Sequence, residues 1–170
     1  EEGGSRIAYL APLVLSNPAL WALPPSLIAP LPQDTSSEEL ACLSDTALTT
    51  LSSVPPGMIL SDANIGSYLL NETPHSVMSA NYHRDTAGIG ASLEAFGLPP
   101  AEVSALLAEN QVDYVLLCPG APENKTFTAL RPDGFLARLS AGEVPDWLRP
   151  VEPIPQDESS GRLYKVMPAG

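Results

Sequence analysis

From residue 35 onward the spacing of apolar residues switches between helical and extended. Leu40, Leu43, Ala47, Leu48 and Leu51 recur at intervals of three and four, which marks one apolar helix face. Ser36 or Ser37, with acids close behind, supplies a start signal for that helix, and Pro55-Pro56-Gly57 stops it. "MILSD" (58–62) reads as a short strand ending in an acid, and "NIGSYLLNE" (64–72) as a short helix. "SVMSANY" (76–82) reads as a second strand. "DTAGIGASLEAF" (85–96) reads as a helix N-capped by Asp85 and weakened by Gly88 and Gly90.

The clearest helix is "PPAEVSALLAENQ" (99–111), with prolines in its first turn and Val103, Leu106 and Leu107 on one face. The clearest strand is "VDYVLLCPG" (112–120), whose nearly unbroken apolar run predicts a central position covered on both faces. Beyond it, "PDGFLARLSAGEVPDWLRPV" predicts a turn, a short helix or strand, and a proline-stopped segment anchored by Trp147. "PVEPIPQDESSG" predicts a surface loop, and the alternating "GRLYKVM" (161–167) a final strand at an edge. Strands that alternate with helices imply an α/β fold: a small, mostly parallel sheet of four to five strands flanked by helices, with right-handed crossovers.

Residues 1–34 differ from this body. No charged residue lies between Arg6 and Asp34, a length that could cross a bilayer. Pro12, Pro18, Pro24, Pro25, Pro30 and Pro32 oppose that, since each interior proline removes a helix hydrogen bond that lipid cannot replace. The flank "EEGGSR" lacks the basic region of a cleavable leader. We expect a short helix near Ile7–Leu15 and then an extended apolar arm, which packs on the domain or continues a membrane-embedded region. Residues 35–170 are then a single α/β domain.

Composition narrows the function. Apolar residues make up 44% of the 170 and charged residues 16%, which excludes a polyelectrolyte disordered chain. The formal charge is −12, and no two basic residues adjoin, so no patch could overcome the repulsion of a phosphate backbone. Nucleic acid is therefore not an expected partner.

In open sheets of this kind, ligands sit outside the carboxyl ends of parallel strands. Three such ends carry chemistry here: Asp62 with Asn64, then Tyr82-His83-Arg84-Asp85, then Cys118-Pro119-Gly120. Parallel strands would bring them to one rim. A functional reading makes Arg84 an anion clamp and His83 an acid/base oriented by Asp62. A simpler reading has Asp62 and Asp85 capping the helices that follow, with Arg84 paired to one of them. His75 falls at the opposite rim, is expected to be a turn residue, and should not join His83 in a metal site.

Other motifs are weak or missing. Gly88-x-Gly90 lacks the third glycine of a dinucleotide fingerprint, and there is no Walker loop, G-x-S-x-G elbow or HExxH. The sequence predicts neither cofactor nor metal. Asn71-Glu72-Thr73 and Asn124-Lys125-Thr126 match the glycosylation sequon, a pattern that arises easily by chance. Cys42 and Cys118 are too far apart for a CxxC motif. Three readings stay open for them: buried free thiols, one disulfide, or Cys118 as a nucleophile with His83 as its base.

"LSSVPPGMILSDANIGSYLLNETPHSVMSANYHRDTAGI", "VDYVLLCPG", "GFLARLSAGEVPDWLRPV" and "RLYKV" together resemble the soluble C-terminal domain of certain bacterial polytopic membrane proteins. Those proteins are similar to the C superfamily of glycosyltransferases, which use polyprenyl-phosphate sugars. The resemblance spans about residues 40–167, and "TPHSVMSANYHR" is its most specific block. It implies a non-catalytic domain on the periplasmic face of a bacterial inner membrane, with residues 7–31 leaving the last transmembrane helix. It also implies a Cys42–Cys118 disulfide, and as partners the membrane portion of the same polypeptide and a polyprenyl-phosphate or glycan. The superfamily's catalytic acids lie in its membrane portion, so none carries over to this sequence. The alternative is a free-standing enzyme or binding protein for an anionic ligand that uses the Asp62, His83 and Arg84 rim.

Overall fold

The computed structural model describes residues 42–82, 84–152 and 160–168, all within the compact unit Asp34–Gly170. The expectations for residues 1–34, for a cap at Ser36 or Ser37 and for His83 lie outside the described residues. In chain order the elements are α1 (Asp45–Ser53), β1 (Met58–Leu60), α2 (Ala63–Glu72), β2 (Ser76–Val77), α3 (Thr86–Gly97) and α4 (Pro100–Glu109). They continue with β3 (Val112–Leu117), α5 (Pro122–Leu130), α6 (Phe135–Ser140), β4 (Leu148–Pro150) and β5 (Arg162–Val166). Among the described residues, no helix is long and apolar enough to cross a membrane.

The five strands form one sheet in the order β2-β1-β3-β5-β4. β1, β2 and β3 run parallel, while β5 pairs antiparallel with both β3 and β4. The strand β3 is central, as its apolar run predicts. Ile65 and Leu69 of α2 and Leu51 of α1 pack with Ile59, Tyr114, Leu116 and Leu163 against one face. Helices α3, α4 and α6 cover the other through Ala95, Phe96, Val103, Leu107, Phe135 and Leu139, which meet Leu60, Val115, Leu117 and Tyr164.

A bulge adjusts the phase of β3. Met58 opposes Val112 and Ile59 opposes Tyr114, so Asp113 is the extra residue. Val112 and Tyr114 consequently face opposite cores, although two residues apart in a regular strand would share a face. The carboxylate of Asp113 occupies the irregularity and accepts the Met58 N–H at 2.8 Å.

Three expectations need correction, and two elements were not foreseen. The final strand β5 is interior, because β4 pairs along its outer side. That β4 was not expected: it has three residues and ends in Pro150, a residue tolerated on an edge strand because its missing N–H need not join a ladder. The second strand pairs only over Ser76–Val77 rather than 76–82. Helix α1 starts at Asp45, with the Ser44 hydroxyl accepting the Ala47 N–H, because Cys42 and Leu43 form a turn held in the core. Helix α5 also escaped the sequence reading, since "PENKTFTAL" is mostly polar and buries one side chain within the helix, that of Asn124.

Candidate functional site

The parallel set creates the rim that the sequence predicts. β1 connects to β2 through α2 on one face, and β3 leads by way of α5 to α6 on the other. The ends of β1 and β3 are therefore a topological switch point, where open sheets usually hold ligands. Here that point is filled by the protein's own side chains. Ser61, Asp62, Cys118, Ala121 and Asn124 are all buried.

Asp62 caps α2 by accepting the Ile65 N–H at 3.0 Å. Asp85 caps α3 through Gly88 N–H at 3.2 Å, and its second oxygen accepts the Ala80 N–H at 3.0 Å. Capping thus accounts for both acids. It does not account for Arg84, which is exposed and makes no ion pair among the described residues. The carboxylate of Asp85, one of its two expected partners, is committed to backbone.

The accessible part of the rim is Asn64, Asn81, Tyr82 and Arg84. Asn81 donates from Nδ2 to Asn64 Oδ1 at 3.0 Å, and its backbone N–H donates to Ser67 Oγ at 3.2 Å. These bonds tie the segment after β2 to α2, and Tyr82 projects beyond them at 56% exposure. The backbone there is gripped from both sides by glycines. A Cβ on Gly66 would collide with the Ser79 carbonyl oxygen, and one on Gly88 with that of Met78. Gly88 is thus a close-packing residue rather than part of a nucleotide loop.

Cys118 is bonded to Cys42, with 5.4 Å between Cα atoms. The pairing that the resemblance implies is present, and the nucleophile and free-thiol readings are not. The carbonyl of Cys118 accepts Asn124 Nδ2 at 2.7 Å. Asn124 is 3% exposed and its Oδ1 has no hydrogen-bond partner among the described residues. The acceptor side chain of its sequon is therefore packed into the fold, with the amide nitrogen of glycosylation chemistry already engaged. The sequence offered no signal for this role beyond the chance sequon.

His75 is a second departure. It follows the bend at Thr73-Pro74 and directly precedes β2, as expected of a turn residue, but at 4% exposure it is part of the core. Its Nδ1 accepts the Gly57 N–H at 3.1 Å, which leaves Nε2–H to donate to Leu51 O at 2.8 Å. Its ring meets Tyr114 edge-on at 5.6 Å. Tyr114 in turn donates to the Pro55 carbonyl at 3.1 Å. Burial, with the adjacent Asp113 carboxylate as a lesser cause, pushes the Tyr114 phenol above its ordinary pKa. This cluster fastens the loop before β1 and is structural. No group of three or more metal-ligating side chains occurs among the described residues.

No protein-family model matches the chain, and none of the curated proteins compared with it matches. Among solved structures, the fold is similar to the C-terminal globular domain of an oligosaccharyltransferase from Archaeoglobus fulgidus. The TM-score is 0.51 at 14% identity, and the match covers 71% of this chain and 94% of that one. At such identity the likeness is one of fold. It supports the α/β class.

Proposed function

We propose that this chain is a non-catalytic extracytoplasmic domain of a membrane glycosyltransferase-like protein. The observation that carries the reading is the fold likeness, which takes in nearly the whole globular domain of the archaeal oligosaccharyltransferase. The disulfide supports it, because such bonds persist in oxidising compartments and are rare where glutathione keeps thiols reduced. The rim of Asn64, Tyr82 and Arg84, with the buried Asp62 behind it, then meets an anionic lipid-phosphate headgroup beside the membrane portion. Arg84 suits that contact, because it is exposed and no carboxylate among the described residues competes for it.

Two measurements test this reading. Blocking free thiols in intact cells before lysis should leave Cys42 and Cys118 unlabelled; labelling of both would refute an oxidising location. Titration with a short-chain polyprenyl phosphate should shift amide resonances around Asn81, Tyr82 and Arg84, and Arg84→Ala should weaken the response about tenfold. A response to inorganic phosphate alone, with turnover of a phosphorylated substrate, would favour a free-standing enzyme on the same rim. Silence toward both ligands would leave the rim as a pair of helix caps.

A further inference from the structure

At the end of the sheet remote from the rim lies an open cleft of about 650 Å³. The start of β3, the start of β4, the segment after β5 and helix α4 border it. We propose that this cleft binds a neutral saccharide, with Trp147 as the stacking surface and Arg149, Asp113 and Asp146 as the groups that read its hydroxyls. The proposal does not rest on the rim or on the reading given to it.

The cleft is held in shape by the fold. Trp147 packs on the core residue Phe135, with ring centroids 5.4 Å apart and planes tilted by 31°. One side of the indole is thereby covered, and Trp147 also lines the cleft. The Trp147 carbonyl accepts the Met167 N–H at 2.8 Å and fixes the two chain segments that form the walls. Arg149 is anchored through Nη1, which donates to the carbonyls of Asp146 at 2.8 Å and Leu148 at 3.1 Å. Its other N–H groups make no hydrogen bond or ion pair among the described residues. Asp113 commits Oδ2 to Met58 and leaves its second oxygen open, and Asp146 makes no ion pair among the described residues.

The mixture of groups selects the ligand chemistry. An anion would face two carboxylates for a single guanidinium, on a chain of net charge −12. A cation would face Arg149. An apolar ligand would strip water from three charged groups without replacing their hydrogen bonds. A saccharide satisfies all of them, because its C–H face lies on an indole while its hydroxyls donate to carboxylates and accept from a guanidinium. The volume falls in the range of small-molecule sites. Ser104 on α4 adds a further hydroxyl to the wall.

The test titrates the full chain with cellobiose, N,N'-diacetylchitobiose and mannobiose, followed by tryptophan fluorescence and by resonances of the Trp147 indole and Asp113 amide. Inorganic phosphate and a tetralysine peptide serve as anionic and cationic probes. We expect saturable binding of at least one disaccharide, with Kd of about 1 mM or tighter. Arg149→Ala and Asp146→Ala, both at exposed positions, should each weaken it about tenfold without lowering Tm. Trp147→Ala should abolish it. Should that variant unfold by losing its contact with Phe135, the two exposed variants decide the matter. No saturable response to any disaccharide, unchanged affinity in Arg149→Ala, or binding of phosphate or tetralysine instead would overturn the proposal.

Discussion

The carboxylate of Asp113, in the central strand, accepts the backbone N–H of Met58, in the neighbouring one, at 2.8 Å. This single charge-assisted bond closes the bulge that lets β3 present Val112 to one core and Tyr114 to the other. Asp113→Ala would leave the Met58 N–H without its partner and enlarge the space beside Gly57, where an added Cβ would meet the Asp113 side chain. We expect a loss of about 2 kcal/mol in denaturant unfolding. A variant as stable as the parent would mean that water replaces the carboxylate there at no cost.

His75 should be harder to replace than its polar neighbourhood suggests. It bridges Gly57 N–H and the Leu51 carbonyl, so His75→Phe keeps volume but abandons two buried backbone groups. A destabilisation of about 2–4 kcal/mol follows. Amide exchange should localise it to α1 and the loop that precedes β1. Uniform loss of protection across the sheet would instead point to a packing defect.

Gly88 and Gly90 of α3 make opposite predictions. Nothing lies within 4 Å of a Cβ placed on Gly90, whereas one on Gly88 would strike the Met78 carbonyl. Gly90→Ala should therefore raise stability by about 0.5–1 kcal/mol through helix propensity and lost unfolded-state freedom. Gly88→Ala should lower it by about 2 kcal/mol or more, because a backbone carbonyl must move. Thermal melts of the two variants, shifted in the same direction, would contradict this contrast.

Tyr114 predicts an alkaline limb. Its pKa is raised in the fold, first by burial and then by Asp113. Below the unfolded-chain value of about 10, both states hold the phenolic proton and Tyr114 contributes no pH dependence. Above it the unfolded chain releases the proton first, so stability falls as pH rises toward the folded-state value. Tyr114→Phe should flatten that limb. It should also cost about 1 kcal/mol near neutrality, through the lost hydrogen bond to Pro55. Urea unfolding at a series of pH values reads both effects, and an alkaline limb of unchanged steepness in the variant would contradict the assignment.

Much of the architecture is legible in short stretches of chain, because its causes act over a few residues. The caps at Asp62 and Asp85 and the prolines opening α4 need no knowledge of distant residues. The apolar run of β3 likewise announces a strand covered on both sides, and the parallel set around it follows from the helices between strands. The rim at the ends of β1, β2 and β3 is a consequence of that order.

What needed the folded molecule is every relationship between residues far apart in the chain. Pairing of β4 along β5 depends on backbone groups that carry no sequence signature, so an interior strand reads locally as an edge. His75 follows a threonine and a proline and looks like a turn residue; only Leu51, Gly57 and Tyr114 closing around it make it core. The Cys42–Cys118 bond and the Trp147 cleft arise likewise, because packing brings together segments whose separate compositions say nothing of one another. Local free energies choose the elements, whereas the exclusion of water between them chooses which side chains meet.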